Sequence, residues 1–98
     1  MKKANEVAEI TKEANKRKAK EYLINSGAGL IVMAAENGKD HVTLHLPAKL
    51  SKEECDRIGP EIVRILQEEF DYTAKYSCYA DYREVSASIE VKWGHAIK

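Results

Sequence analysis

LIVMAAENGKDHVTLHLP, residues 30–47, admits two readings, and the choice between them sets the fold. In the first, residues 30–35 form a strand that returns through an Asn37-Gly38 type I′ turn into a second strand at 40–46. In the second, residues 28–36 form a helix, and Asn37-Gly38 supplies its left-handed C-cap. Ile31 and Val32 favour strand; Ala34, Ala35 and Glu36 favour helix. The hairpin would also set Leu30 and Val32 opposite His45 and Thr43, mixing apolar and polar side chains on one face. Helix is the reading adopted. The alternation of residues 41–46 then marks a strand with Val42, Leu44 and Leu46 inward, ended by Pro47.

Upstream, residues 3–25 are rich in alanine, glutamate and lysine, with neither glycine nor proline before Gly27, and read as a helix. Glu13 is placed to meet Lys16 and Arg17. Its apolar stripe of Ala4, Val7, Ala8, Ala14 and Ala19 is thin. A helix so equipped either projects from the body or packs against a second copy of itself. SGAG, residues 26–29, is expected to interrupt it. The domain division that follows is one domain over 1–98, with a charged helix at 1–26 and an α/β body at 27–98.

Downstream, Ser51-x-x-Glu54 is a capping box with Leu50 as a staple. The helix behind it shows Cys55, Ile58, Ile62, Ile65, Leu66 and Phe70 on one face. Gly59-Pro60 falls inside it, and the apolar phase carries through, so a bend within one element is expected. Residues 72–79 and 85–93 alternate and finish the chain as a hairpin. Matching apolar faces pairs Cys78 with Val85, Tyr76 with Ala87 and Ala74 with Ile89. Thr73, Lys75, Ser77, Ser86, Ser88 and Glu90 then face outward. The expected fold is α+β: a three-stranded antiparallel sheet with helices packed on one face, in the order α-(α)-β-α-β-β.

Composition excludes several classes. Ninety-eight residues make one domain, with 44% hydrophobic and 33% charged residues. Bases and acids both number 16, whereas a protein that holds DNA through phosphates carries a basic excess. The charge is unevenly spread: residues 1–49 carry nine bases and six acids, residues 50–98 seven and ten. KRKAK, residues 16–20, concentrates the excess. No apolar run reaches the roughly 18 residues of a membrane span, and the N-terminus lacks the apolar segment of a secretory signal. Cys55 and Cys78 follow no ligand spacing and are expected as reduced, buried thiols of a cytoplasmic protein.

His41 and His45 stand four apart, a spacing that suits a metal on a helix. On a strand they share a face but lie roughly 13 Å apart at Cα, too far to share one zinc ion held at about 2.0–2.1 Å from each nitrogen. They are read as exposed residues acting separately, and His95 as a tail residue. No nucleophile elbow, phosphate loop or metalloprotease motif occurs, and the pairs Glu53-Glu54 and Glu68-Glu69 fall on exposed helix sides. No enzyme activity, cofactor or metal is expected. Tyr72 and Tyr76 point inward by parity. Tyr79, Tyr82 and Arg83 gather near a turn, a composition common in protein-binding hot spots and able to stack a base. Lys16, Arg17, Lys18 and Lys20 would serve a nucleic-acid-binding module, the alternative reading.

Four pieces carry a family resemblance: NEVAEITKEANKRKAKEY, AAENGKDHVTLHLP, LSKEECDRIGPEIVRILQEEFDY and SIEVKW ending at Trp93. Together they resemble small uncharacterised proteins of phages and prophages of Gram-positive bacteria. SGAG, Gly59-Pro60 and Asp71, where a glycine would usually separate helix from strand, depart from that pattern. The resemblance implies a helix closed by AAENGK and defines no functional residues. The thin-striped helix and small sheet leave surfaces that a partner would cover, so the expected function is that of a non-enzymatic accessory protein of this type, acting by binding in the bacterial host cytoplasm. It would be a homo-oligomer through its first helix or the polar sheet face. Its target would be a host or anti-phage defence protein, or a small nucleotide signal sequestered between subunits.

Overall fold

AAENGK closes a helix. In the computed structural model, which describes residues 1–97, α2 spans Ala28–Glu36. Gly38 adopts φ 80° behind it. Lys39 N–H donates to the Ala34 carbonyl at 3.0 Å and Gly38 N–H to the Ala35 carbonyl at 2.9 Å. This is the paired bonding of a Schellman cap, which a β-carbon at the left-handed position would oppose. The chain then enters β1, His41–His45.

The expected interruption at SGAG is corrected. Helix α1, Ala4–Tyr22, passes into α2 through a π-helical turn, Leu23–Gly27, whose flanking residues all keep right-handed helical dihedrals. A single glycine costs a helix only about 1 kcal/mol, and packing outweighs that here. Leu23 and Gly27 are buried, and the Tyr22 hydroxyl donates to the His45 carbonyl at 3.0 Å, tying the rod to β1. The division at residue 26 therefore falls inside one continuous helix.

Helix α3, Lys52–Phe70, starts at Ser51, whose hydroxyl accepts from Glu54 N–H at 3.2 Å. It remains one element across Gly59-Pro60. Pro60 is exposed, so the Asp56 carbonyl it cannot serve faces water. Gly59 is buried, and a β-carbon there would collide with the Tyr76 ring. The glycine is thus the gap through which β2 approaches the helix. Cys55, Ile58, Ile62, Ile65 and Leu66 are buried as one face. Phe70 is corrected: it is 62% exposed. It lies in the last turn, where the chain leaves for β2, and its ring lines an open groove. Asp71 takes the left-handed cap position at φ 60°, one of the few non-glycine residue types that tolerate it.

β2, Thr73–Ala80, and β3, Val85–Lys92, form the closing hairpin, and β1 adds to the far side of β3, giving an antiparallel sheet of order β1-β3-β2. The faces are those that alternation assigns, but the register is corrected by two residues. Cys78 pairs with Ala87, Tyr76 with Ile89, Ala74 with Val91 and Ala80 with Val85. A two-residue shift leaves every side chain on its own face, so parity cannot discriminate between the two. The observed register closes a four-residue loop and pairs Val91, fully buried, within both neighbouring strands. The core lies between one sheet face and α3, with α1–α2 beside it: Leu44, Ile62, Ile65, Ile89 and Val91 are its largest fully buried members. Tyr72 and Trp93 meet edge-on at 6.1 Å at one end.

Candidate binding surfaces

The loop between β2 and β3 is built by Asp81. Its Oδ1 accepts from Arg83 N–H at 2.7 Å and Glu84 N–H at 2.9 Å, and its own N–H donates to the Glu84 carbonyl at 3.0 Å. The two backbone donors hold the carboxyl below its ordinary pKa, so the turn persists over the neutral range. The Tyr79 hydroxyl leans on Oδ2 at 3.4 Å, and the Arg83 guanidinium lies 5.1 Å from the centre of the Tyr82 ring. Tyr82 is 87% exposed. The structure thus gathers Tyr79, Tyr82 and Arg83 at one tip, ordered by a residue that composition alone did not single out.

The outer sheet face is polar and open. Its rows read His45–Ser88–Ser77, Thr43–Glu90–Lys75 and His41–Lys92–Thr73 across β1, β3 and β2. Lys92 meets Glu90 at 3.1 Å and the Ser77 and Ser88 hydroxyls meet at 3.3 Å. His41 and His45 stay apart, at opposite ends of β1 in the third and first of these rows. His41 Nδ1 contacts Asp40 Oδ1 at 2.9 Å, and this bond leads the lowering of the Asp40 pKa. Among the described residues no three His, Cys, Asp or Glu side chains converge as a metal site. His95 is corrected from a tail residue. It sits in a 3-10 turn, Gly94–Ala96, and its Nε2 donates to the Asp71 carbonyl at 2.8 Å, so the ring carries its hydrogen there.

The basic run lies on the rod. Ala19 is buried against the body, Lys16 pairs with Glu13 at 3.6 Å, and Arg17, Lys18 and Lys20 are distributed round the exposed helix. Lys20 borders a different feature. Between α2 and the end of α3 runs an apolar groove of about 450 Å³, lined by Ile24, Val32, Leu66, Phe70 and Tyr72. It continues past Phe70 and Tyr72 to Trp93. Ile24 is 76% exposed and Val32 54% exposed. Glu36, Glu69 and Asp71 stand on its margins. Sequence reasoning missed this groove. The available signal was that LIVMAA is apolar on every side, and a short helix can bury only one side against a single neighbour.

On the sheet side of α3, Asp56 accepts from Tyr76 Oη at 2.8 Å and from Lys52 Nζ at 2.6 Å. The Lys52 bond, then the Tyr76 bond, depress the Asp56 pKa. Burial, followed by the bond to Asp56, drives the Tyr76 phenol well up. Burial also raises the Cys55 thiol, which keeps it protonated and a poor nucleophile. Cys78 is half-buried, more open than expected; both cysteines are free thiols. No helix is long and apolar enough to cross a membrane among the described residues. Comparison with protein-family models, with curated proteins and with solved structures gave no match.

Proposed function

We infer that this chain is a non-enzymatic accessory protein of the phage and prophage type that its sequence resembles. It works in the bacterial cytoplasm as a homo-oligomer and acts by binding a host or defence protein. The observation that carries the reading is the hairpin tip. Two exposed tyrosines and an arginine stand on a turn that Asp81 has already ordered. Tyrosine and arginine dominate the energetics of protein interfaces. Holding them in place before contact removes part of the ordering cost that binding otherwise incurs.

The test is capture from a lysate of a Gram-positive host. Immobilised wild-type protein should retain a defined partner, and Tyr82→Ala/Arg83→Ala should lose it while keeping its circular dichroism. Equal retention by both proteins would move the contact elsewhere and remove the tip from the reading. The oligomer is tested separately by light scattering, where a mass of 11.1 kDa at high micromolar concentration would remove that part.

A further inference from the structure

The first ten residues of α1 are exposed on every side, Ala4 through Glu13. An isolated helix of that length is marginal in water unless something covers it. At about 100° per residue, Ile10 lies half a turn away from Ala19, the residue α1 buries against the body, with Val7 one turn further out. Both are exposed. The arm therefore presents its only large apolar side chains away from its own core. The same chain holds an open apolar groove. Because α1 and α2 form one continuous rod whose α2 end is a wall of that groove, the arm cannot fold back into it. A second copy can supply the arm, and a two-fold exchange uses both arms and both grooves and closes without leaving an open end.

Charge favours the same occupant. Residues 1–22 carry seven bases and four acids, with Lys2 and Lys3 at the leading end, whereas α3 carries three bases and six acids. The last turn of α3 holds no base, although Glu68 and Glu69 stand beside carbonyls that already bear partial negative charge. Glu36, Glu69 and Asp71 border the groove. A lysine-led helix laid antiparallel to α2 brings cations to Glu36 and Asp71, at the end of the groove away from Lys20. An apolar helix face seated in a groove with complementary rims is a recurring mode of recognition.

We propose that the protein is a two-fold dimer in which Val7 and Ile10 of each copy's arm seat in the partner's groove between α2 and Phe70, with Lys2 and Lys3 against the acidic rim. This rests on the homo-oligomer reading above and leaves the hairpin tip free for a target. Sedimentation velocity across a concentration series tests it, on wild type and on surface variants chosen to spare the core. Wild type should sediment as two chains. Val7→Ser/Ile10→Ser and, separately, Val32→Ser/Phe70→Ala should each raise the dimer dissociation constant at least tenfold, with far-ultraviolet circular dichroism showing the body still folded. Lys2→Glu/Lys3→Glu should weaken the dimer, and adding Glu36→Lys/Glu69→Lys should restore it. A monomeric wild type overturns both this proposal and the oligomer reading. A dimer indifferent to arm and groove variants overturns this proposal alone and moves the self-contact elsewhere, such as the polar sheet face.

Discussion

Helices α1 and α3 are each 19 residues long, yet α1 buries one residue and α3 six. Length and intrinsic propensity do not account for the difference, since alanine, glutamate and lysine make α1 the better helix former. What separates them is the width of the apolar stripe. Five branched or thiol side chains at spacings of three and four give α3 a face that closes over the sheet. The stripe of α1 is mostly alanine, and the rod is tied down only toward its C-terminal end, by burial of Ala19 and Leu23 and by the Tyr22 bond to β1. One helix is held by its core; the other is carried by its neighbour in the chain.

The most severe way to break this contrast is Ile62→Ala. Ile62 is fully buried, and removing such a side chain costs about 2–5 kcal/mol. Chemical denaturation should show a loss in that range. A loss below about 1 kcal/mol, the scale of one buried methylene group, would mean that the α3 face does not close over the sheet.

Gly59→Ala sharpens the picture, because it makes α3 a better isolated helix and a worse partner for β2. Crowding the Tyr76 ring should cost about 1–3 kcal/mol, against roughly 1 kcal/mol gained in helix propensity. The net change should be destabilising in wild type and should become neutral or favourable in a Tyr76→Ala background. The same sign in both backgrounds would detach Gly59 from the Tyr76 contact.

Ser51→Ala removes the oxygen that accepts from Glu54 N–H and should cost about 1 kcal/mol, read as a shift in the denaturation midpoint at unchanged slope. On the other helix, Ala8→Gly should change global stability by less than about 0.5 kcal/mol. Hydrogen exchange of amides 6–13, followed in protein dilute enough to be monomeric, should be fast and nearly unchanged by it, whereas amides 58–66 should exchange only with global unfolding. Slow exchange in the arm of a dilute monomer would erase the distinction between the two helices.

The smallest effect lies at Asp56. Its folded pKa is depressed by Lys52 and Tyr76, so the stabilisation it lends is present above its unfolded pKa of about 3.9. It is lost as pH falls through the lower folded value. Asp56→Asn should flatten the acid limb of the stability curve below about pH 4, and it leaves the Tyr76 hydroxyl with a neutral acceptor in place of a charged one. An acid limb identical to wild type would show that the Lys52–Asp56–Tyr76 chain adds nothing to stability.

Legibility followed physical scale. Contacts within a few residues were written in local pattern: the Ser51 cap, the AAENGK closure, the alternation of β1. Contacts that compare distant segments were not. The hairpin register slipped by two because both registers bury the same faces. SGAG read as a break because local glycine content cannot report that Leu23 and Gly27 find cover on β1 and α3. At the candidate sites, Tyr79, Tyr82 and Arg83 were visible as neighbours in the chain, but the Asp81 bonds that order them required coordinates. The groove was hidden because its walls lie some forty residues apart, at Ile24 and Val32 on one side and Phe70 on the other.

Residue order and periodicity were enough for the inward and outward faces of each strand and for the α+β class, because these depend on backbone preference and on which side chains avoid water. Tertiary packing alone decided that the first two helices are one rod, that Phe70 stays outside the core and that Gly59 admits a tyrosine ring. Each of those outcomes turns on whether a surface from elsewhere in the chain arrives to cover a side chain, and short-range pattern holds no record of that.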